Sequence, residues 1–131
     1  MKKIAIAIIA SLAVFGASVS VATPASAAKA SYSKKENRLW KGVKNLYPLQ
    51  AEAVGKKTTV EIANTSCDIF DEVGTDTGMF LINGVIVDHA VGMDGMAQDL
   101  FIEYMVGTTV SATYTICKEH QADLDRTIDN L

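Results

Sequence analysis

The stretch Thr65-Ser66-Cys67-Asp68-Ile69-Phe70 decides the expected fold, together with Cys117, which follows about fifty residues later. These two cysteines are the only ones among 131 residues, a length that suits a single domain. Thr65 or Ser66 suits the N-cap of a helix that begins at Cys67, and Gly74 suits its end. The stretch therefore predicts a helix that carries one half of the cysteine pair.

The first 27 residues have the pattern of an export signal. Lys2 and Lys3 precede an apolar segment from Ile4 to Val19, and Ala25-Ser26-Ala27 provides a small-residue cleavage site. A retained membrane anchor is the alternative, but the small residues of this flank favour cleavage after Ala27. The short basic start is typical of bacteria, so we expect a periplasmic protein.

In an exported chain, two cysteines most simply form one intramolecular disulfide. A bond between Cys67 and Cys117 would close a loop of about 50 residues and stabilise the fold by about 4 kcal/mol in the chain-entropy model. A redox pair and a metal site are the alternatives. The first usually needs a C-x-x-C motif, and the second about four ligands, which the two histidines are not spaced to supply. We therefore favour a structural disulfide and expect no metal or cofactor.

Charge divides the exported chain into two parts. Residues 28–57 contain eight Lys or Arg against two acidic residues, Glu36 and Glu52, which gives a net charge of +6. Residues 58–131 contain only Lys118 and Arg126 against 13 acidic residues, which gives −11. We therefore predict a basic N-terminal arm over 28–57 and an acidic domain over 58–131. The acidic domain excludes nucleic acid as a partner.

The basic arm contains a short amphipathic pattern that ends at Pro48. Residues 49–57 resemble a linker. The helix either packs on its own domain or contacts a membrane surface or a partner. Its apolar positions are Leu39, Trp40, Val43, Leu46 and Tyr47, and Arg38, Lys41 and Lys44 lie on the other face.

Local signals in the middle of the chain conflict. Asn83-Gly84 lies between two apolar runs, which is typical of a hairpin, and Thr108 to Ile116 alternates like a strand. Apolar residues at helical spacing favour a helix over the same region. His120 to Leu131 has clear helical spacing at the C-terminus. The residues alone leave helix and strand open for 79–116.

Catalytic motifs are missing from the sequence. It has no glycine-rich phosphate loop, no nucleophile elbow and no H-E-x-x-H zinc motif. Three acidic residues share one helical face at Asp68, Asp71 and Glu72, and Asp88 precedes His89, but such groups are usually solvated surface. We therefore expect a protein that is not an enzyme.

A family resemblance rests on Thr65 to Phe70 and on the segment Ile116-Cys117-Lys118-Glu119-His120 to Leu124. The arrangement resembles the HdeA/HdeB family of periplasmic acid-stress chaperones, in which Cys-x-x-Phe opens the first helix and a second Cys precedes the last one. The resemblance covers roughly residues 65–131. It implies an all-α domain of four to five helices stapled by the Cys67–Cys117 disulfide, unfolded periplasmic proteins as partners, and often a homodimer.

Composition supports acid sensing independently of that resemblance. At about pH 3 most carboxylates are protonated, so attraction between the basic arm and the acidic domain becomes repulsion. We expect acid to loosen the protein, and five residues to sense the change: Asp68, Asp71, Glu72, Asp88 and His89. Unfolded clients would then bind an apolar set made of Met79, Phe80, Leu81, Ile82, Val85 and Ile86.

A second resemblance concerns Phe80 to Asp88. This stretch is similar to the aromatic-Gly-Val-Asp helix of Tai-type periplasmic immunity proteins, which inhibit secreted cell-wall amidases. It implies a rigid binder whose acidic surface covers a specific hydrolase at neutral pH. This inhibitor is the alternative to the acid-activated chaperone.

Overall fold

The computed structural model describes residues 31–130, and this part of the chain is helical throughout, with no strand. The predicted all-α fold is therefore confirmed, while the predicted export signal lies outside the described range. Between residues 31 and 130, no helix has both the length and the apolar character needed to cross a membrane. The helices are α1 (Lys34–Leu46), α2 (Pro48–Val54), α3 (Lys56–Val73), α4 (Thr75–Ala90), α5 (Gly95–Thr115) and α6 (Gln121–Asp129), with a 3-10 turn at Lys118–His120 before α6.

The ambiguous middle of the chain consists of α4 and α5. Asn83-Gly84, the apparent hairpin signal, lies inside α4, and the alternating stretch that begins at Thr108 lies largely in α5. Burial follows the helical period in both: Ile82 and Ile86 are buried in α4, as are Thr108 and Ala112 in α5. Packing of these helical faces outweighs the local turn and strand preferences.

Several expected boundaries were wrong. The helix that carries Cys67 begins at Lys56, and the predicted linker over 49–57 contains α2 and the start of α3. Pro48 is the first residue of α2, where its missing N–H costs nothing. Gly55 (φ 84°) and Gly74 (φ 82°) provide the left-handed backbone at the short α2–α3 and α3–α4 junctions.

The predicted division between arm and domain at residue 58 falls inside α3. Leu39 and Val43 of α1 have no exposed surface, and Ala51 of α2 is equally buried, so the basic arm contributes to the same core. An amphipathic helix beside an apolar surface removes that surface from water by packing on it. The core consists of Leu39, Val43, Ala51, Val54, Val60, Ile62, Ala63, Cys67, Ile69, Phe70, Met79, Ile82, Ile86, Ala90, Phe101, Tyr104, Met105, Ala112, Cys117 and Leu124.

Hydroxyl groups line the contact between the two central helices, α3 and α5. Thr59 hydrogen-bonds to the Tyr104 hydroxyl and donates to the Gly55 carbonyl at 2.8 Å. Ser66 lies 3.2 Å from the Thr109 hydroxyl oxygen. All four hydroxyl-bearing side chains are buried. These bonds satisfy polar groups whose burial without partners would be costly, and they fix the register of α3 against α5.

Tyr47 anchors the α1–α2 junction on α5. Its ring meets the Tyr104 ring edge-on, with centroids 5.9 Å apart. It also lies against Gly107, where an added Cβ would overlap the ring and hydroxyl of Tyr47. Gly107 therefore provides the space in which α1 and α2 approach α5.

Candidate functional site

The start of α1 is fastened by the carboxylate of Glu36. One oxygen accepts a hydrogen bond from the Ser33 backbone N–H at 2.7 Å, and the other accepts from the Asn64 side-chain amide of α3 at 3.0 Å. The Ser33 hydroxyl in turn accepts from the Glu36 N–H at 3.1 Å, which completes a capping box. One side chain thus both caps α1 and joins it to α3, and we name this group the Glu36 clamp.

The Glu36 clamp favours the ionised carboxylate. The hydrogen bond from Asn64, then that from the Ser33 backbone, holds the pKa of Glu36 below its ordinary value; partial burial opposes this, and the nearby Lys56 adds to it. A lowered pKa contributes stability above the ordinary glutamate pKa, and that stability is lost as pH falls through the folded value. Acid therefore weakens the attachment of α1.

Two lysines add contacts around the clamp. Lys56 of α3 donates to the Asn37 side-chain oxygen at 2.5 Å and lies 4.4 Å from the centroid of the Tyr32 ring. Lys35 donates to the Ile116 carbonyl, just after α5, at 3.3 Å. The first turns of α1 therefore rest on polar contacts to both central helices.

Both cysteines of the disulfide follow α1 and α2 in the sequence. Cys67 in α3 and Cys117 after α5 are bonded, with Cα atoms 5.8 Å apart, as predicted. The covalent loop includes α3 from Cys67 onward, all of α4 and all of α5. Because α1 and α2 precede Cys67, they are held only by non-covalent contacts.

Two side chains meet beside the disulfide. His120 Nε2 lies 2.6 Å from an Asp71 carboxylate oxygen, and the His120 ring packs near Phe70 with centroids 5.9 Å apart. With Glu119, these groups place three potential metal-ligand atoms within 4.8 Å of one another. A cation would have to displace the existing contact between His120 and Asp71, so we interpret the group as a hydrogen-bonded pair that joins the 3-10 turn to α3.

The five predicted acid-sensing residues do not form one cluster. Asp68, Asp71 and Glu72 are exposed on α3, and of these Asp71 contacts His120. Asp88 is exposed on α4, whereas the half-buried His89 ring lies 3.0 Å from the Val85 carbonyl. Within residues 31–130, no hydrogen bond or ion pair joins Asp68, Asp71 or Glu72 to Asp88 or His89.

Glu36 is the site residue that the sequence interpretation missed. The pattern Ser33-x-x-Glu36 before an amphipathic run is a recognisable capping-box signal. The other contact of Glu36, the hydrogen bond from Asn64, joins residues 28 positions apart, so no local sequence pattern predicts it.

The six predicted client-binding residues lie on α4 in different environments. Met79, Ile82 and Ile86 are buried in the core, Leu81 and Val85 are half-buried, and only Phe80 is exposed. Val87 and Val91 are exposed with Phe80 on the outer side of α4. They were not among the predicted client-binding residues, although their helical spacing from Phe80 can be seen in the sequence. The structure therefore separates an inner and an outer apolar side of α4.

Comparison with known proteins gives no assignment: no protein-family model, curated protein or solved structure matches this chain significantly.

Proposed function

We propose that the protein is an exported, periplasmic holdase that acts by binding rather than catalysis and is activated when acid releases α1. The observation that carries the proposal is the position of the Glu36 clamp. It lies outside the disulfide loop, its carboxylate must be ionised to hold Asn64 most strongly, and the helix it fastens covers core residues.

Charge adds to this acid response. α1 exposes five basic side chains, whereas residues 58–117 contain nine acidic residues and no Lys or Arg. At neutral pH the two parts attract each other, and at about pH 3 the carboxylates lose their charge while the lysines keep theirs. Individual surface pairs are weak, so the effect depends on the whole distribution of charge rather than on one bridge.

The remaining helices have contacts that acid leaves intact. The Cys67–Cys117 disulfide contains no group that is protonated at low pH. The same holds for the buried hydroxyl contacts of Thr59 with Tyr104 and of Ser66 with Thr109. The α3–α5 pair therefore keeps its arrangement while α1 leaves it. A partly opened but covalently tied chain can return to its neutral fold without complete refolding.

Release of α1 would expose apolar surface on both sides of the broken contact. On α1 it would uncover Leu39 and Val43, and on α5 the surface around Tyr104 against which Tyr47 now packs. Such surface is what an unfolded client requires. The inner α4 residues Met79, Ile82 and Ile86 would become available only if α4 also moved, which places them in a second stage of binding.

Light scattering of an aggregating client protein, measured at about pH 3 and at pH 7, tests the proposal. We expect suppression of aggregation in acid and none at neutral pH. The absence of suppression in acid would contradict the holdase function. A single stoichiometric partner captured from periplasmic extract at pH 7, with no acid activity, would instead favour the inhibitor that resembles immunity proteins.

A further inference from the structure

The outer side of α4 presents a continuous apolar stripe. Phe80, Val87 and Val91 are 79%, 52% and 71% exposed, respectively. Their spacing of seven and then four residues places them on one side of the helix, and Val91 continues the helical backbone beyond Ala90. From Phe80 to Val91 the stripe is about 16 Å long, or three helical turns. We name this surface, including Gly84, the outer α4 face.

The fold leaves the outer α4 face without a partner in the part of the chain that the structure describes. The opposite side of the helix already packs in the core through Met79, Ile82 and Ile86. Single exposed apolar residues are ordinary on protein surfaces, whereas an aligned set on one helix marks a contact surface. Phe80, an aromatic side chain at the start of the stripe, has the character of an interface anchor.

Gly84 gives the outer α4 face a notch. It lies one turn after Phe80 and one turn before Val87, and a Cβ added there would meet no atom within 4 Å. The space above Gly84 is therefore open toward a partner rather than needed by the fold. A small residue between larger apolar neighbours lets the backbone of a crossing helix approach closely.

Charge selects the kind of partner. Asp76 lies one turn before Phe80, and the exposed Asp88 adjoins Val87, while α4 contains no Lys or Arg. A second copy of this chain would bring the same acidic flanks to the contact without a cation from α4 to meet them. A helix with an apolar stripe bordered by Lys or Arg complements both the apolar and the charged parts.

We propose that the outer α4 face is a docking surface, at neutral pH, for a basic amphipathic helix of another protein. The surface is available in the closed fold, so this binding does not require release of α1. It goes beyond the holdase function and would operate under conditions in which the holdase is inactive.

Fluorescence anisotropy with the full exported chain at pH 7 tests the proposal. The probe is a fluorescein-labelled Leu–Lys peptide with an apolar helical stripe, and a Leu–Glu peptide of the same pattern is its counterpart. We expect saturable binding of the Leu–Lys peptide only. Equal binding of both peptides, or no saturable binding of either, would overturn the proposal.

Matched variants locate the binding. Gly84→Leu fills the notch, and Gly42→Leu is its control because Gly42 is an exposed α1 glycine with no neighbour within 4 Å of an added Cβ. Val87→Asp has Leu49→Asp, on the exposed end of α2, as its control. We expect Gly84→Leu and Val87→Asp to weaken binding about tenfold or more, as changes at interface anchors do, and the controls to bind like the parent.

Circular dichroism of each variant at pH 7 separates loss of binding from loss of fold. Unchanged binding by folded Gly84→Leu and Val87→Asp would overturn the assignment of this face. Vesicles of phosphatidylglycerol and phosphatidylcholine test whether the face binds a lipid surface instead. If the parent binds these vesicles but not the peptide, and Val87→Asp abolishes vesicle binding, the proposal of a helical partner is overturned. All of these measurements are made at pH 7, so a negative result does not bear on the acid-activated holdase. Likewise, a lack of holdase activity in acid would not bear on peptide binding at pH 7.

Discussion

The Glu36 carboxylate accepts a hydrogen bond from the Asn64 side chain at 3.0 Å and thereby joins the first turn of α1 to the middle of α3. The same carboxylate closes the capping box with Ser33. One titratable group thus controls both the start of a helix and its attachment to the core. Protonation of Glu36 affects both contacts together, which couples the attachment of α1 to acid.

Replacing Glu36 by Gln should weaken the attachment of α1 at neutral pH. Glutamine keeps the shape but has no charge and only one acceptor oxygen, so it cannot accept from both Ser33 and Asn64 as Glu36 does. We expect a loss of about 1 kcal/mol in the free energy of unfolding. Trp40, the single tryptophan, lies half-buried on α1 and reports its release by fluorescence. A pH titration should show fluorescence change beginning at a higher pH in Glu36→Gln than in the parent.

Glu52→Gln is the matched control for that experiment. It removes the same charge from an exposed position on α2 and should leave the titration nearly unchanged. If both variants shift the titration equally, net charge rather than the Glu36 clamp governs acid release.

Loss of the disulfide should cost far more than loss of the clamp. Changing Cys67 and Cys117 together to Ser removes a cross-link over a separation of 50 residues, for which the chain-entropy model predicts about 4 kcal/mol. Urea unfolding at pH 7 measures the difference, and reduced parent protein serves as the comparison. A loss below about 1 kcal/mol in both samples would mean that the bond does not determine the stability of the α3–α5 pair.

Gly107→Ala should destabilise the fold through Tyr47. The new methyl group would overlap the Tyr47 ring and hydroxyl, so Tyr47 must leave its present position on α5, at a cost of about 1 to 3 kcal/mol. Gly42→Ala, where the methyl group meets nothing, should be neutral or slightly stabilising because alanine favours helix. Equal thermal midpoints for the two variants would contradict the close packing of Tyr47 on Gly107.

Tyr104 should limit stability at high pH. Burial raises the pKa of Tyr104 above its ordinary value, although the hydrogen bond with Thr59 and the nearby Thr108 hydroxyl lower it in part. A raised phenol pKa contributes stability that is present below the unfolded value, near 10, and is lost as pH rises through the folded value. Circular dichroism during an alkaline titration should therefore show unfolding that Tyr104→Phe moves to higher pH. An unchanged midpoint would exclude this role.

The sequence predicted the covalent link and the helical class more readily than the extent of the core. The two cysteines, an export pattern and helical spacing in the last segment were local signals, whereas the helices on either side of Asn83-Gly84 depend on burial of Ile82 and Ile86. The change in charge at residue 58 lies inside α3, so it does not coincide with a break between helices. Leu39 and Val43 instead pack with the core, and the basic residues cover the opposite side of α1.

Only part of the Glu36 clamp could be predicted from the sequence. The capping box of Ser33 and Glu36 is a sequence pattern, but the bond to Asn64 requires α1 to lie beside α3, which is a property of the folded chain. The predicted acidic face of α3 remains a prediction as a sensor. On α4, helical spacing alone did not reveal which side faces the core, since apolar residues occupy both sides.

Hydrogen exchange measured by mass spectrometry at about pH 3 and at pH 7, corrected for the intrinsic effect of pH, tests selective release of α1 most directly. We expect residues 34–46 to lose protection in acid while the α3 and α5 segments keep theirs. Retention of α1 protection equal to that of α3, or uniform loss of protection along the chain, would contradict selective release.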